Sequence, residues 1–190
     1  MDPYLFIGKY YAFDSPLRRI LVLHSESVTA KAVAIATSHP ALHADLETVR
    51  CGALLHDIGI FLTDADGILC HGTAPYICHG VLGADLLRRE ADTAPLSPAD
   101  RDLLLRCADI CERHTGTGLT LRQIVDEGWD LPHRDLQPRT VEEEIVCFAD
   151  KFFSKTRLTT ERTPAQARAK LVPFGPDGLQ KFDDWCQRFL

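Results

Sequence analysis

The chain has 190 residues and a mass of 21.2 kDa, enough to bury a sizeable core without staples. Hydrophobic residues make up 45% and charged residues 25%, the balance of an ordinary soluble globular protein. A formal charge of −6 and a pI near 5.7 advertise no basic face, so nucleic acid and anionic membranes are not expected partners.

The opening stretch MDPYLFIGKYY lacks the basic region and unbroken apolar run of an export signal. No window reads as a membrane span, and a cytoplasmic location is expected. Ser15-Pro16 starts the first helix, with Ser15 as N-cap and Pro16 at the first helical position. The run LRRILVLHSESVTAKAVAIATS continues it, readable as two pieces meeting near His24. Asp45 caps DLETVRCGALLHDIG, which Gly59 is expected to end. A loop with breakers at Asp64, Gly67, Gly72 and Pro75 precedes a helix from about Cys78 to Glu90.

Ser97-Pro98 opens PADRDLLLRCADICER, which stops before His114. Thr120 with Gln123, and Thr140 with Glu143, read as capping boxes, the second opening VEEEIVCFADKFFSK. Thr163-Pro164 and PDGLQKFDDWCQRFL supply two closing helices. No alternating β-branched run marks a strand. One all-α helical bundle over 1–190 is therefore expected, its core over about 15–157 and the helices of 163–190 packed as an appendage. The seven cysteines are odd in number and sit among apolar or helical neighbours, as reduced buried thiols would.

Eight histidines are more than this length needs. On the helix map His24, the adjacent pair His56-Asp57, His79, His114 and Asp150 fall at helix ends or on apolar faces. Asp150 lies within IVCFAD, where a lone carboxylate would cost several kcal/mol unless paired or bound to metal. Imidazoles together with carboxylates suit iron, manganese or zinc. Four histidines and two aspartates exceed what one ion takes and suffice for two if one carboxylate bridges. The competing reading, satisfied polar residues in a helical core, fits a lone histidine better than six residues of this kind.

These residues, His24 in LHS, the pair in LLHDIG and Asp150 in FADK, resemble the H…HD…D pattern of the HD-domain metal-dependent phosphohydrolases. HDIG at 56–59 is the signature of one subgroup, and His79 and His114 match the two additional histidines of its dinuclear relatives. The resemblance implies that His24, His56, Asp57 and Asp150 bind one divalent metal and that His79 and His114 bind a second. Asp57 would be the bridge and the catalytic carboxylate. Iron or manganese would be the ions, with zinc, nickel or magnesium as substitutes.

The reaction implied is hydrolysis of a phosphate ester or anhydride, nucleotide-like, by a metal-bridging hydroxide. Arg113, Lys151, Lys155 and Arg157 lie near the ligands in sequence, and Arg113 and Lys151 are expected at the substrate. His71, in the first of two Cys-His-Gly triplets, would form a lip over the site and contact a phosphate. The family often carries a lysine three residues after the HD aspartate, where this chain has Ile60. No GYP tripeptide is present, so cyclic-dinucleotide cleavage of that type is not implied. Diiron oxygenases of the same superfamily use a similar ligand set and are the alternative, as is a binding module that keeps its metals without turnover.

Overall fold

A computed structural model describes residues 1–190 apart from residue 159. Helix α1 (Pro3–Tyr10) precedes the long α2 (Pro16–Ser38) and α3 (Leu46–Leu55). After a loop region come α4 (His79–Thr93), α5 (Pro98–Arg113), the short α6 (Leu121–Asp126), α7 (Val141–Asp150), α8 (Pro164–Lys170) and α9 (Gly175–Phe189). Helix α2 packs on α3 and α7, α3 on α5, and α4 on α5, giving a helical bundle.

Local signals account for most helix starts. Ser15, Asp45, Ser97, Thr140 and Thr163 each accept a bond from a backbone amide of the following first turn. Thr120 and Gln123 form a complete capping box. At α7 only half of the expected box exists. Thr140 accepts from the Glu143 amide, but the Glu143 carboxylate is taken by Arg113 Nη1 at 2.7 Å and by the Arg139 amide at 2.8 Å.

Four expectations need correction. Helix α1 was not foreseen; Asp2 caps it, and Phe6 and Ile7 bury one side. Helix α2 runs unbroken through His24, and by length and composition it could cross a membrane. In the folded chain Leu21, Val28, Ala32 and Ile35 are instead buried against the bundle. Helix α3 ends at Leu55, four residues before Gly59. The loop holds a three-stranded sheet in the order β2-β1-β3, with β1 (Thr63–Ala65) antiparallel to β2 (Cys70–His71) and parallel to β3 (Ala74–Pro75). Strands of two or three residues are too short to show alternation, so periodicity could not reveal them.

Two large apolar clusters flank the site, with a smaller third around Leu119, Ile124 and Leu136. One gathers Leu21, Leu55, Ile58, Leu87 and Leu104 with Ile7 and Tyr11. The other gathers Val28, Ala32, Ile110 and Phe148 with Phe182, Trp185 and Phe189 of α9. His24 lies on α2 between Leu21 of the first and Val28 of the second, so the polar centre sits at the seam. Close backbone approach shapes that seam: a Cβ on Gly59 would lie 2.3 Å from the His79 carbonyl oxygen and 2.4 Å from the Gly83 nitrogen. Gly59 therefore serves the docking of α4 rather than the ending of α3.

Candidate metal centre

Five segments deliver the polar residues to one buried point. His24 comes from the middle of α2, His56 and Asp57 from the turn after α3, and His79 from the first residue of α4. His114 follows α5 directly, and Asp150 ends α7. All four histidines and Asp57 are buried, while the Asp150 side chain is 13% exposed.

Asp57 divides its two oxygens between two groups of histidines. Its Oδ2 lies 3.1 Å from His24 Nε2 and 3.2 Å from His56 Nε2. Its Oδ1 lies 3.4 Å from His79 Nε2 and 3.4 Å from His114 Nε2, which are 3.0 Å from each other. Asp150 Oδ1 joins the first group, 3.0 Å from His24 Nε2 and 3.5 Å from His56 Nε2. One donor atom from each of His24, His56, Asp57 and Asp150 falls within 4.8 Å of the others, and the same holds for Asp57, His79 and His114.

The ring orientations prepare Nε2 for coordination. His56, His79 and His114 each turn Nδ1 to the carbonyl three residues earlier, at 2.7 Å from Ala53, 2.6 Å from Tyr76 and 2.7 Å from Cys111. A proton held on Nδ1 leaves the Nε2 lone pair facing the cluster. Nε2 of His24, Nε2 of His56 and Oδ1 of Asp57 are buried without a hydrogen-bond partner among the described residues. Buried polar atoms normally find partners, and these three facing the cluster fit a cation. A set of imidazole nitrogens and carboxylate oxygens fits divalent transition metals.

Electrostatics reinforce this. Burial opposes ionisation of Asp57, but His56 and Lys155 outweigh it and hold the carboxyl well below its usual range. Burial works likewise against Asp150, where Lys151 and the two histidines prevail and keep it ionised. His79 is pushed down to about 3 by burial and by the neighbouring His114, so it stays a neutral ligand. On His56 burial disfavours charge, yet Asp57 and Asp150 raise it to about 9; a cluster that attracts a proton so strongly also attracts a metal cation.

A cavity of about 410 Å³ opens over the centre, with His24, His79, His114 and Asp150 at its base. Tyr76, Phe153, Leu171 and Phe174 line its apolar wall. Lys151, Lys155, Arg162 and Lys170 supply positive charge.

Lys151 lines the cavity, its Nζ held 2.8 Å from Asp150 Oδ2 and 2.9 Å from the His114 carbonyl. Arg113 does not line this cavity. It is buried, and its guanidinium is consumed by Glu143 on α7. His71 does not line it either: the side chain is 70% exposed and pairs with Asp66 at 3.1 Å. Among the described residues the cation nearest Asp57 is Lys155, whose Nζ lies 2.6 Å from Oδ2. Two thiols also serve the site. Cys111 Sγ donates to the His56 carbonyl at 2.9 Å and Cys147 Sγ to the His114 carbonyl at 3.3 Å. Burial pushes the Cys147 thiol up to about 11, so it remains a donor. Neither role is visible in the sequence, where these cysteines are simply apolar-face residues.

A family model described as HD domain matches residues 21–154. The chain is 38% identical over 146 residues to the tRNA (cytidine(56)-2'-O)-methyltransferase of Thermoplasma volcanium, covering 77% of this chain and 34% of that protein. It is 38% identical over 125 residues to an uncharacterised protein of Methanocaldococcus jannaschii, covering 66% of this chain and 60% of that one. It thus spans about a third of the first of these curated relatives and three-fifths of the second. Among solved structures, the HD domain of the L. monocytogenes phosphodiesterase PgpH superposes with a TM-score of 0.50 at 20% identity, covering 87% of this chain and 89% of that one, a likeness of fold. The family match begins in α2 ahead of His24 and ends beyond Asp150, so the whole histidine and aspartate cluster lies inside it; the chain belongs to the HD-domain family.

Proposed function

We propose that the chain is a metal-dependent phosphohydrolase with a dinuclear centre, acting on a small, nucleotide-like phosphate ester or anhydride. His24, His56, Asp57 and Asp150 would hold one ion, and His79, His114 and the other oxygen of Asp57 the second, with iron or manganese as the metals. The observation that carries this reading is the division of the Asp57 carboxylate, with Oδ2 facing one pair of histidines and Oδ1 the other. When bound, two divalent ions supply Lewis-acid stabilisation of a phosphoryl group and acidify a water molecule.

The chain's own groups do the rest. The Nδ1 bonds of His56, His79 and His114 keep three rings from turning. Lys151 orients Asp150 and neutralises part of its charge. Lys155, at the cavity edge, offers an ammonium to a phosphate oxygen. Phe153, Leu171 and Phe174 form an apolar wall of the kind a base or sugar face packs on. Methyl transfer to tRNA, named for the Thermoplasma relative, is not carried over from a match to about a third of that protein.

The test begins with metal content per chain after purification without oxygen or chelating resin, for wild type and His79→Ala. Close to two ions in wild type, falling towards one in the variant, is the expected result, together with phosphate release from a nucleotide panel or turnover of bis(p-nitrophenyl) phosphate. Less than one ion in both proteins would overturn the dinuclear reading. Oxygen consumption with an organic substrate and no phosphate release would replace the hydrolase with the oxygenase.

A further inference from the structure

Beyond the cavity over the metal centre lies a second recess of about 460 Å³. The two adjoin, since Ser154, Thr156, Arg162 and Lys170 line both. Arg157, Thr160 and Gln166 line the recess alone. In a chain of net charge −6, the recess presents Arg157, Arg162 and Lys170 and not one carboxylate.

The surrounding surface shows how this chain usually treats such cations. Lys31 is paired with Glu161 at 2.7 Å and Arg168 with Asp183 at 2.8 Å. Arg157 and Lys170 pair with no carboxylate among the described residues, although the same segment supplies both. Arg162 is fixed by its own backbone surroundings, donating to the Lys151 and Phe153 carbonyls. Arg162, two further cations and the hydroxyls of Ser154, Thr156 and Thr160 line the recess, with Ser154 and Thr156 bonded to each other at 3.0 Å. That is the chemistry of a phosphate site, where guanidinium and hydroxyl donors bond the oxygens and fixed positive charge meets the anion.

We propose that this recess binds a second phosphate, so that the substrate is a small molecule with two separated phosphate groups, one at the metal centre and one beside Arg157. The proposal rests on the hydrolase reading only for the role of the first phosphate. The apolar wall of Phe153, Leu171 and Phe174 lines the adjoining cavity, giving room for the organic part of such a molecule.

Isothermal titration of the manganese-loaded full chain decides it, with adenosine 3′,5′-bisphosphate and adenosine 5′-monophosphate as the two probes. The bisphosphate should bind at least about tenfold more tightly than the monophosphate, as an added charge-assisted contact implies. Arg157→Glu should erase most of that preference and move monophosphate affinity far less, while Arg157→Lys should retain part of it. Arg157 is exposed, so the variants should melt with the wild type. Equal affinities for the two probes, no binding of either, or a preference that survives Arg157→Glu would each overturn the proposal. Turnover of bis(p-nitrophenyl) phosphate is scored separately. Its absence together with no phosphate release from the nucleotide panel would strike the hydrolase reading and leave the two-probe comparison to judge the recess.

Discussion

At the scale of single residues, the contact between Lys155 and Asp57 has consequences for metal binding. An ammonium 2.6 Å from Oδ2 occupies the side of the carboxylate that also faces His24 and His56. Burial disfavours the charge on Lys155, but Asp57 overcomes it and holds the ammonium protonated. A metal cation and this ammonium therefore compete for one oxygen. Lys155→Met should tighten binding of the first ion by roughly tenfold, the effect of removing one partly screened charge at contact distance. Competitive titration with a chromogenic chelator measures it, and unchanged or weaker binding would remove Lys155 from the site. The same variant should lose at least about tenfold in kcat/KM on phosphate substrates if the displaced ammonium turns to the phosphate. Ile60, at the position where the family often has lysine, is fully buried in the apolar cluster and brings no charge to the site.

At the scale of elements, the turn carrying His56 and Asp57 is held by its neighbours. Tyr11, just past α1, donates its hydroxyl to the Ile58 carbonyl at 2.7 Å. On the other side Gly59 meets Gly83 of α4. A Cβ on Gly83 would sit 2.6 Å from Cys111 Sγ and 2.9 Å from the Gly59 nitrogen. In an exposed helix, Gly→Ala gains up to about 1 kcal/mol of helix propensity. Here the clash with fixed backbone, about 1–3 kcal/mol for overpacking, should reverse the sign. Gly83→Ala should lower the urea midpoint and drive His79 away from Asp57, reducing metal stoichiometry; a more stable variant with full metal would refute the close-packing argument.

Helix α1 is tied to α4 by Glu90, which accepts from Lys9 Nζ at 2.6 Å and from the Tyr10 hydroxyl. Burial raises the Glu90 carboxyl, but Lys9 and Tyr10 outweigh it and hold it below its ordinary value of 4.5. A depressed carboxylate contributes stability above its unfolded value and loses it as pH falls through the folded one. Glu90→Gln should therefore be less stable than wild type at neutral pH, with the gap closing below about pH 4. Urea unfolding across pH shows it, and a gap that stays constant would assign the effect to packing.

At the scale of the whole molecule, the last two helices are part of what makes the site. Helix α8 contributes Ala167 and Lys170 to the cavity wall, followed by Leu171 and Phe174. Helix α9 anchors that wall by burying Phe182, Trp185 and Phe189 around Phe148, with ring centroids 5.4, 6.3 and 5.5 Å away. Phe148 lies two residues before Asp150 on α7, so the aromatic cluster supports the helix that delivers the carboxylate. Phe182→Ala should cost about 3–5 kcal/mol, the range for an aromatic truncated in a core. A loss under about 1 kcal/mol in urea unfolding would show that α9 is only loosely docked.

The sequence by itself determined which residue types could meet a metal and where most helices begin. Both are local properties: a cap needs only the next three amides, and His56-Asp57 or Asp150 in an apolar run is conspicuous without any fold. His79 could be told from His71, although both sit in Cys-His-Gly, because only His79 opens a helix that packs through Gly80 and Gly83. Tertiary structure decided the rest. It set Lys155 rather than Arg113 beside Asp57, since Arg113 had a buried Glu143 to satisfy thirty residues away. It joined α1 to the HDIG turn through one hydroxyl, and made Cys111 and Cys147 donors to the backbone of the site. Partners of this kind are set by how helices cross. Chain distance carries no record of that, because a long side chain pairs with whatever charge packing brings within about 4 Å.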